Sequence, residues 1–334
     1  MQEPKAVRPS PLVSVIMPTY NHGEFIGDSI ESVLCQTFGD WELIVVDNAS
    51  TDQTEAIVAA HCRNDARIRH LKFRNHGIIA ASRNYGIAGA RGDFIAFLDS
   101  DDVWRRTKLE RQLKHFANDE IVGVGTDAVL LSNTPYCRQM SWGGSKAGYV
   151  DYDYSRILNA NPIMTSSVVV RKDELLDVGG FDENPDFRFI EDWELWLRMA
   201  RLGEFRILGA RLLEYRVFSA KGRDRIDVSR RLFKVLDKHL ALGYVTIRDT
   251  REPGARINLS LANNLLDLSD RSCRRYYAKA FRNSSSMKIK AKALMGYFLS
   301  ILPRVLRQGV RFILYSMGRA VSGGIDQYRR IRAR

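Results

Sequence analysis

The chain has 334 residues, with 51 Lys/Arg against 39 Asp/Glu and 45% hydrophobic residues, enough for one substantial domain plus an appendage. Its four cysteines (Cys35, Cys62, Cys137, Cys273) lie far apart and its six histidines form no ligand motif, which excludes a paired zinc or redox site. The excess positive charge is local. Residues 271–334 hold 16 Lys/Arg and one acid (+15), and the remainder carries −3.

In chain order, Val13–Met17 is a short apolar strand ended by Pro18, Thr19, Tyr20 and Asn21, and Glu24–Cys35 follows with a helical pattern. The strand Trp41–Val46 ends in Asp47-Asn48-Ala49-Ser50-Thr51-Asp52. A helix over Thr54–Cys62, a strand over Ile68–Phe73, a helix over Ile79–Ala90 and an apolar strand over Asp93–Leu98 complete the series. Strands alternating with helices predict a mostly parallel, Rossmann-like α/β sheet flanked by helices. In such sheets ligands sit beyond the carboxyl ends of the strands, where the polar clusters at Thr19, Asp47 and Asp99 all fall.

The last of these clusters, Asp99-Ser100-Asp101-Asp102, carries the most chemistry. Three acids at a buried strand's end repel one another unless a cation lies among them, and Mg²⁺ or Mn²⁺ with substrate phosphates is the usual occupant. The competing reading is a cap, by Asp101 or Asp102, on a helix starting near Val103-Trp104. Asp47 is a natural acceptor for a pyrimidine imide N–H, with an Asx turn as its structural alternative. Asp52 reads as a cap of the next helix and His22 as a loop residue.

Together, Val13–Asn21, Ile44–Asp52, Arg83-Asn84 with Gly86, and Phe97–Asp102 resemble the signatures of inverting family-2 glycosyltransferases of the GT-A fold, over residues 12–220. The resemblance implies sugar transfer from a nucleotide-diphosphate donor such as a UDP-sugar to a hydroxyl acceptor. It implies that Thr19, Tyr20 and Asn21 line the nucleoside pocket, that Asp47 meets the base edge and that Asn75, Arg83 and Ser100 help hold the nucleotide. Asp99 and Asp101 would form the DxD pair at ribose and metal. Arg83 read alone is equally a solvated helix cation. Two other functions compete: a catalytically silent sugar-nucleotide-binding assembly subunit, which the intact acids disfavour, and a sugar-nucleotide-forming nucleotidyltransferase, whose cationic glycine-rich first loop is missing from Pro18–Gly23.

Inverting transfer needs a general base at the acceptor hydroxyl. Glu191-Asp192 opens the helical stretch Asp192–Arg201, and Gly180-Phe181-Asp182 followed by Glu191-Asp192-Trp193 resembles the family's acceptor-side signature, in which the second acid is the base. Asp192 is therefore the expected base and Glu191 its supporting acid, although acids at a helix start are also favoured by the macrodipole alone. Trp193 and Trp196 read as core. The histidine that often follows Tyr-Arg-Val in this family is replaced by Phe218 after Tyr215-Arg216-Val217, with Lys221 and Arg223 as the nearest cations for a leaving diphosphate.

Ser132–Pro162 reads as a loop-rich lid or acceptor wall, Met164–Val170 as a strand and 224–285 as helical. Residues 221–334 form a helical extension, basic and amphipathic from 271. Its apolar run Ala293–Leu302 is too short to cross a bilayer. Beyond Pro303, Leu306, Val310, Ile313 and Met317 share a helical face opposite Arg304, Arg307 and Arg311, which reads as an anchor on anionic lipid. Nucleic acid is not an expected partner, because the tail's tyrosines are mixed with aliphatic runs. The first dozen residues lack an apolar core, and the cysteines read as buried free thiols. The expected location is cytoplasmic, peripheral on the inner face of the membrane, with a saccharide or lipid-linked acceptor in surface polysaccharide or glycolipid synthesis.

Overall fold

The computed structural model describes residues 11–131, 148–217 and 222–303, the side chains of 222–224 excepted. The chain divides into two compact units, Met1–Ser219 and Ala220–Arg334.

The first unit begins with regular alternation: β1 (Val13–Thr19), α1 (Ile26–Leu34), β2 (Trp41–Asp47), α2 (Thr54–Asn64), β3 (Ile68–Lys72), α3 (Ile79–Ala88) and β4 (Phe94–Phe97). Every residue of β1 and β2 is buried, as expected for strands covered by helices on both faces. β5 (Val103–Trp104), α4 (Lys108–Leu113), β6 (Ile121–Leu131), β7 (Tyr149–Tyr152), α5 (Tyr154–Asn159), β8 (Val169–Arg171), α6 (Lys172–Asp177), α7 (Glu191–Met199) and β9 (Glu204–Arg216) follow.

The nine strands form one sheet in the order β3-β2-β1-β4-β8-β6-β9-β5, with β7 also on β9. The β3-β2-β1-β4 half is parallel, with Thr19 opposite Asp47 at the carboxyl ends. The other half is mixed: β8 runs antiparallel to β4 and β6, β6 and β9 are parallel, and β5 and β7 are antiparallel to β9. The change of direction falls at β8, which joins the parallel half antiparallel to β4.

Several local expectations change. Val103-Trp104 forms the strand β5 paired with Glu214 and Leu213, so no helix starts there for Asp101 or Asp102 to cap. The Met164–Val170 stretch is a 3-10 turn over Thr165–Ser167 before β8, and that turn lets the Ser166 hydroxyl accept the Asp99 N–H at 3.0 Å. The described part of the loop-rich excursion contains β7 and α5. Cys35 is exposed and Cys62 half-buried, so of the described cysteines Cys273 alone is a buried thiol. Trp193 and Trp196 are core residues, with Trp193 Nε1 donating to the Ile157 carbonyl at 2.8 Å.

The second unit contains α8 (Gly222–Ala241), α9 (Arg251–Asp267), α10 (Cys273–Asn283) and α11 (Met287–Leu299). Its core joins Leu261, Leu265, Cys273, Tyr277, Ala293 and Leu299. Gly296 lies so close to Tyr277 that a Cβ there would sit 2.3 Å from the ring, which is how α11 approaches α10. Among the described residues no helix is long and apolar enough to cross a membrane. Cys137, Phe218, Lys221, the Arg223 side chain and the amphipathic stretch beyond Pro303 lie outside the described residues.

Candidate active site

The carboxyl ends of β1, β2 and β4 open into a cleft of about 760 Å³ in the first unit. Thr19, Tyr20, Asn75, Arg83, Asp99, Ser100, Asp101, Glu191 and Asp192 all line it. Asp47 and Asn21 lie beside it. Asn21, in the left-handed region at φ 52°, donates its N–H to Ser50 Oγ and accepts the Thr51 N–H, so it ties the β1 loop to the β2 loop. Asp47 is buried and accepts the Ser50 N–H and Oγ–H on Oδ1 at 2.9 and 2.6 Å. Its Oδ2 has no hydrogen-bond partner and lies 3.7 Å from His70 Nε2. The Asn75 amide donates to Ser82 Oγ at 2.8 Å and accepts the Gly77 N–H, fixing the turn before α3. Asp52 lies one residue before Gln53, the cap position of α2, and accepts the Thr54 N–H and also the Gly23 N–H.

Arg83 is the hub. It is 3% exposed, donates from Nη2 to Asp99 Oδ1 at 2.9 Å and from Nη1 to Glu191 Oε1 at 2.8 Å. Burial works against its charge, but Asp99 and Glu191 outweigh it and raise its pKa. A planar guanidinium can span two carboxylates in this way where an ammonium cannot. The solvated-cation reading of Arg83 therefore fails. The neighbouring Asn84 accepts the Phe181 N–H and donates to the Phe181 carbonyl, both at 2.9 Å, and to Glu183. Gly180, at φ 70°, sits where a Cβ would come within 2.8 Å of Asn84 Oδ1, so glycine is needed for both conformation and closeness. Arg83-Asn84 thus binds α3 to the loop that leads into α7.

Of the two adjacent acids, Glu191 is committed to Arg83. Asp192 instead accepts the Trp193 N–H on Oδ1 at 2.7 Å and, on Oδ2, longer hydrogen bonds from Thr165 Oγ1 (3.3 Å) and Asn161 (3.4 Å). Burial and the adjacent Glu191 push its carboxyl up to about 7.

Negative charge is in excess around the Asp99 turn. Burial and Asp99 raise the Asp101 carboxyl, and burial with Asp101 and Asp99 raises Asp102 well above the carboxylate range. Asp102 accepts the Arg216 N–H at 2.8 Å, placing it behind the turn. The Tyr215 hydroxyl is raised too, first by burial and then by Asp102 and Asp99. Four cleft residues escaped sequence reasoning. His22 lines the cleft with Nδ1 2.8 Å from Ser100 Oγ, and Arg216 donates from Nε to the Asp101 carbonyl at 3.0 Å. Arg188 and Phe189 complete the outer wall, Phe189 at φ 71° and 60% exposed. The only signal for Arg216 was its place in the Tyr-Arg-Val stretch. Phe187 and Phe189 read only as part of an ordered acceptor-side loop, and Arg188 carried no signal beyond its nearness to Glu191-Asp192.

A parallel half carrying a paired-acid turn, joined to a mixed half that adds an acid-bearing helix, defines a crevice-forming α/β protein of the GT-A class. The model of glycosyl transferase family 2 matches residues 14–173. A UDP-Glc:alpha-D-GlcNAc-diphosphoundecaprenol beta-1,3-glucosyltransferase, WfgD of Escherichia coli, is 35% identical over 193 residues, 57% of this chain and 70% of WfgD. The putative teichuronic acid biosynthesis glycosyltransferase TuaG of Bacillus subtilis is 44% identical over 104 residues, 31% of this chain and 41% of TuaG, so the chain spans less than half of that relative's length. Among solved structures, S. aureus TarS 1–349 in complex with UDP superposes with a TM-score of 0.55 at 19% identity, over 89% of this chain and 91% of TarS. The mannosyltransferase PcManGT from Pyrobaculum calidifontis in complex with GDP-Man and Mn²⁺ gives 0.56 at 19%, over 94% of this chain and 87% of that one. The chain belongs to glycosyltransferase family 2.

Proposed function

We propose that the chain transfers a sugar, with inversion, from a nucleotide-diphosphate donor to an acceptor hydroxyl in surface polysaccharide or glycolipid synthesis. One observation carries this: Asp192 shares a cleft with Asp99 and Asp101, yet its carboxylate is left to neutral donors while Arg83 engages Glu191 and Asp99. Asp192 is then the base that takes the acceptor proton as the hydroxyl attacks the anomeric carbon, and Glu191 positions it through Arg83. The Asp47 Oδ2, which has no hydrogen-bond partner, supports recognition of a base N–H, and the names of WfgD's donor and of the TarS complex favour uracil as that base.

A divalent cation fits the excess of carboxylate around Asp99 and Asp101. Among the described residues no three ligating side chains converge, so donor phosphates and water would complete its coordination. Asp101 and Asp99 would hold Mg²⁺ or Mn²⁺, which when bound neutralises the leaving diphosphate. Arg216 and Arg188, on the same cleft, supply fixed positive charge where the family's histidine is absent. The chain then acts at the cytoplasmic face of a membrane, where a lipid-linked acceptor would be presented.

The test is incubation with a panel of sugar nucleotides, divalent metal and lipid extract, reading released nucleoside diphosphate and the anomeric configuration of the product. Release from a UDP-sugar with an inverted product is expected. A retained configuration, or no release from any donor, refutes the reading.

A further inference from the structure

We propose that the outward face of α11 docks flat on an anionic lipid surface. This deepens the membrane reading above by assigning the contact to a particular helix face. Ile289, Ala293, Gly296 and Leu299 turn inward to the core of the second unit. On the opposite side Met287, Ala291, Leu294, Met295 and Phe298 recur at three- and four-residue spacing, and Ile301 follows at the helix end. These are large apolar side chains left in water, with Met287 76% and Phe298 59% exposed. The face is a continuous apolar stripe, and Ala291, Leu294, Met295, Phe298, Ile301 and Leu302 surround one shallow groove.

Charge identifies the occupant. Lys288 and Lys292 flank the stripe on one side and Lys290 on the other. Residues 271–303 contain eight Lys/Arg and no acid. A second copy laid parallel and face to face would press these lysines against their equivalents, and an antiparallel one would set them against residues 293–302, which hold no acid. The chain's own residues 304–334 are no better, with eight more Lys/Arg and one acid. Nucleic acid would satisfy the lysines but leave the apolar stripe uncovered. A bilayer with anionic headgroups satisfies both: acyl chains take the stripe and phosphates the lysines. At 13 residues α11 is roughly 20 Å long, too short to span and suited to lying in the interface.

The experiment is sedimentation of the full chain with vesicles of phosphatidylcholine, alone or mixed with phosphatidylglycerol, at low and high salt. Binding is expected to the mixed vesicles and to weaken with salt. Leu294→Ser with Phe298→Ser, both exposed and outside the core, should lower partitioning about tenfold or more while leaving the circular dichroism spectrum and donor turnover unchanged. Lys288→Gln, Lys290→Gln and Lys292→Gln should each cost about fivefold on mixed vesicles only, the equivalent of about 1 kcal/mol per charge. Equal uptake by neutral and mixed vesicles, binding that survives both sets of substitutions, or a dimer abolished by the serine pair would each overturn the proposal. Vesicle binding through α11 by a chain that releases no nucleoside diphosphate would sink the transferase reading and uphold this surface.

Discussion

The two walls of the cleft are held by different means. On the proposed donor side, Thr19 ends β1, and Asn48 and Asp99 follow β2 and β4, so the ladders of these three strands set their positions. On the opposite side, Glu191 and Asp192 begin a helix whose entry loop is tied to α3 by the side chains of Arg83 and Asn84. Arg198 adds a strap from within α7, donating to the carbonyls of Val178 and Gly180. Backbone ladders are many and redundant, whereas one buried side chain carrying two carboxylates is not. The wall that carries Asp192, the proposed base, should therefore be the more easily disabled.

Arg83→Met is the hardest test of that difference. It leaves Glu191 buried and Asp99 half-buried without their shared cation, a change that costs about 3–5 kcal/mol when a buried ion pair loses one partner. Donor turnover should vanish with it, and Arg83→Lys should restore little because an ammonium lacks the fork. Denaturant midpoints of the three proteins give the comparison. A loss under about 1 kcal/mol, within the range of a surface pair, would mean that the wall is held elsewhere.

Asp192→Asn comes next. Turnover should fall roughly 10²-fold or more, about 2.7 kcal/mol of transition-state stabilisation, with donor affinity nearly intact. If donor affinity falls as far as turnover, Asp192 belongs to the nucleotide site. Asn84→Ala should act more gently. It removes three hydrogen bonds to Phe181 and Glu183, worth about 1–3 kcal/mol in all, and loosens the loop before α7. The KM for acceptor should rise while that for donor stays put. Equal changes in both would erase the distinction between the walls.

The same division governs what could be read from the chain. β1 and β2 were legible because a strand buried on both faces is a continuous apolar run. Their terminal polar residues were legible because strand ends are where such sheets bind ligands. The motif marked Glu191 and Asp192 and suggested separate roles for them, but not the ion pair that commits Glu191 to a guanidinium 108 residues away in sequence. Arg216 and Arg188 look like ordinary surface cations until β9 and the α7 entry loop fold against the Asp99 turn. Local pattern cannot report so distant a meeting. Likewise, Ala293–Leu302 is one apolar run in sequence, and only the packing of Gly296 on Tyr277 shows which half of it faces water.

A different expected effect is on stability as pH changes, and it opposes the effect on rate. Burial and Glu191 raise the Asp192 carboxyl to about 7, against an unfolded value near the ordinary carboxylate range of about 4. Between those limits the folded chain holds a proton that the unfolded chain has lost. Stability contributed by this group is therefore complete below pH ~4 and is lost as pH rises through about 7. Turnover requires the ionised base, so it should climb across the upper part of the same window. Asp192→Asn separates the two, since an amide does not titrate: the variant should lose the downward slope of stability between pH 4 and 7 that the parent shows. Parallel denaturation series on parent and variant measure it. Identical slopes would move the titrating group away from Asp192, and the base-bearing wall would then owe its charge balance to some other carboxylate.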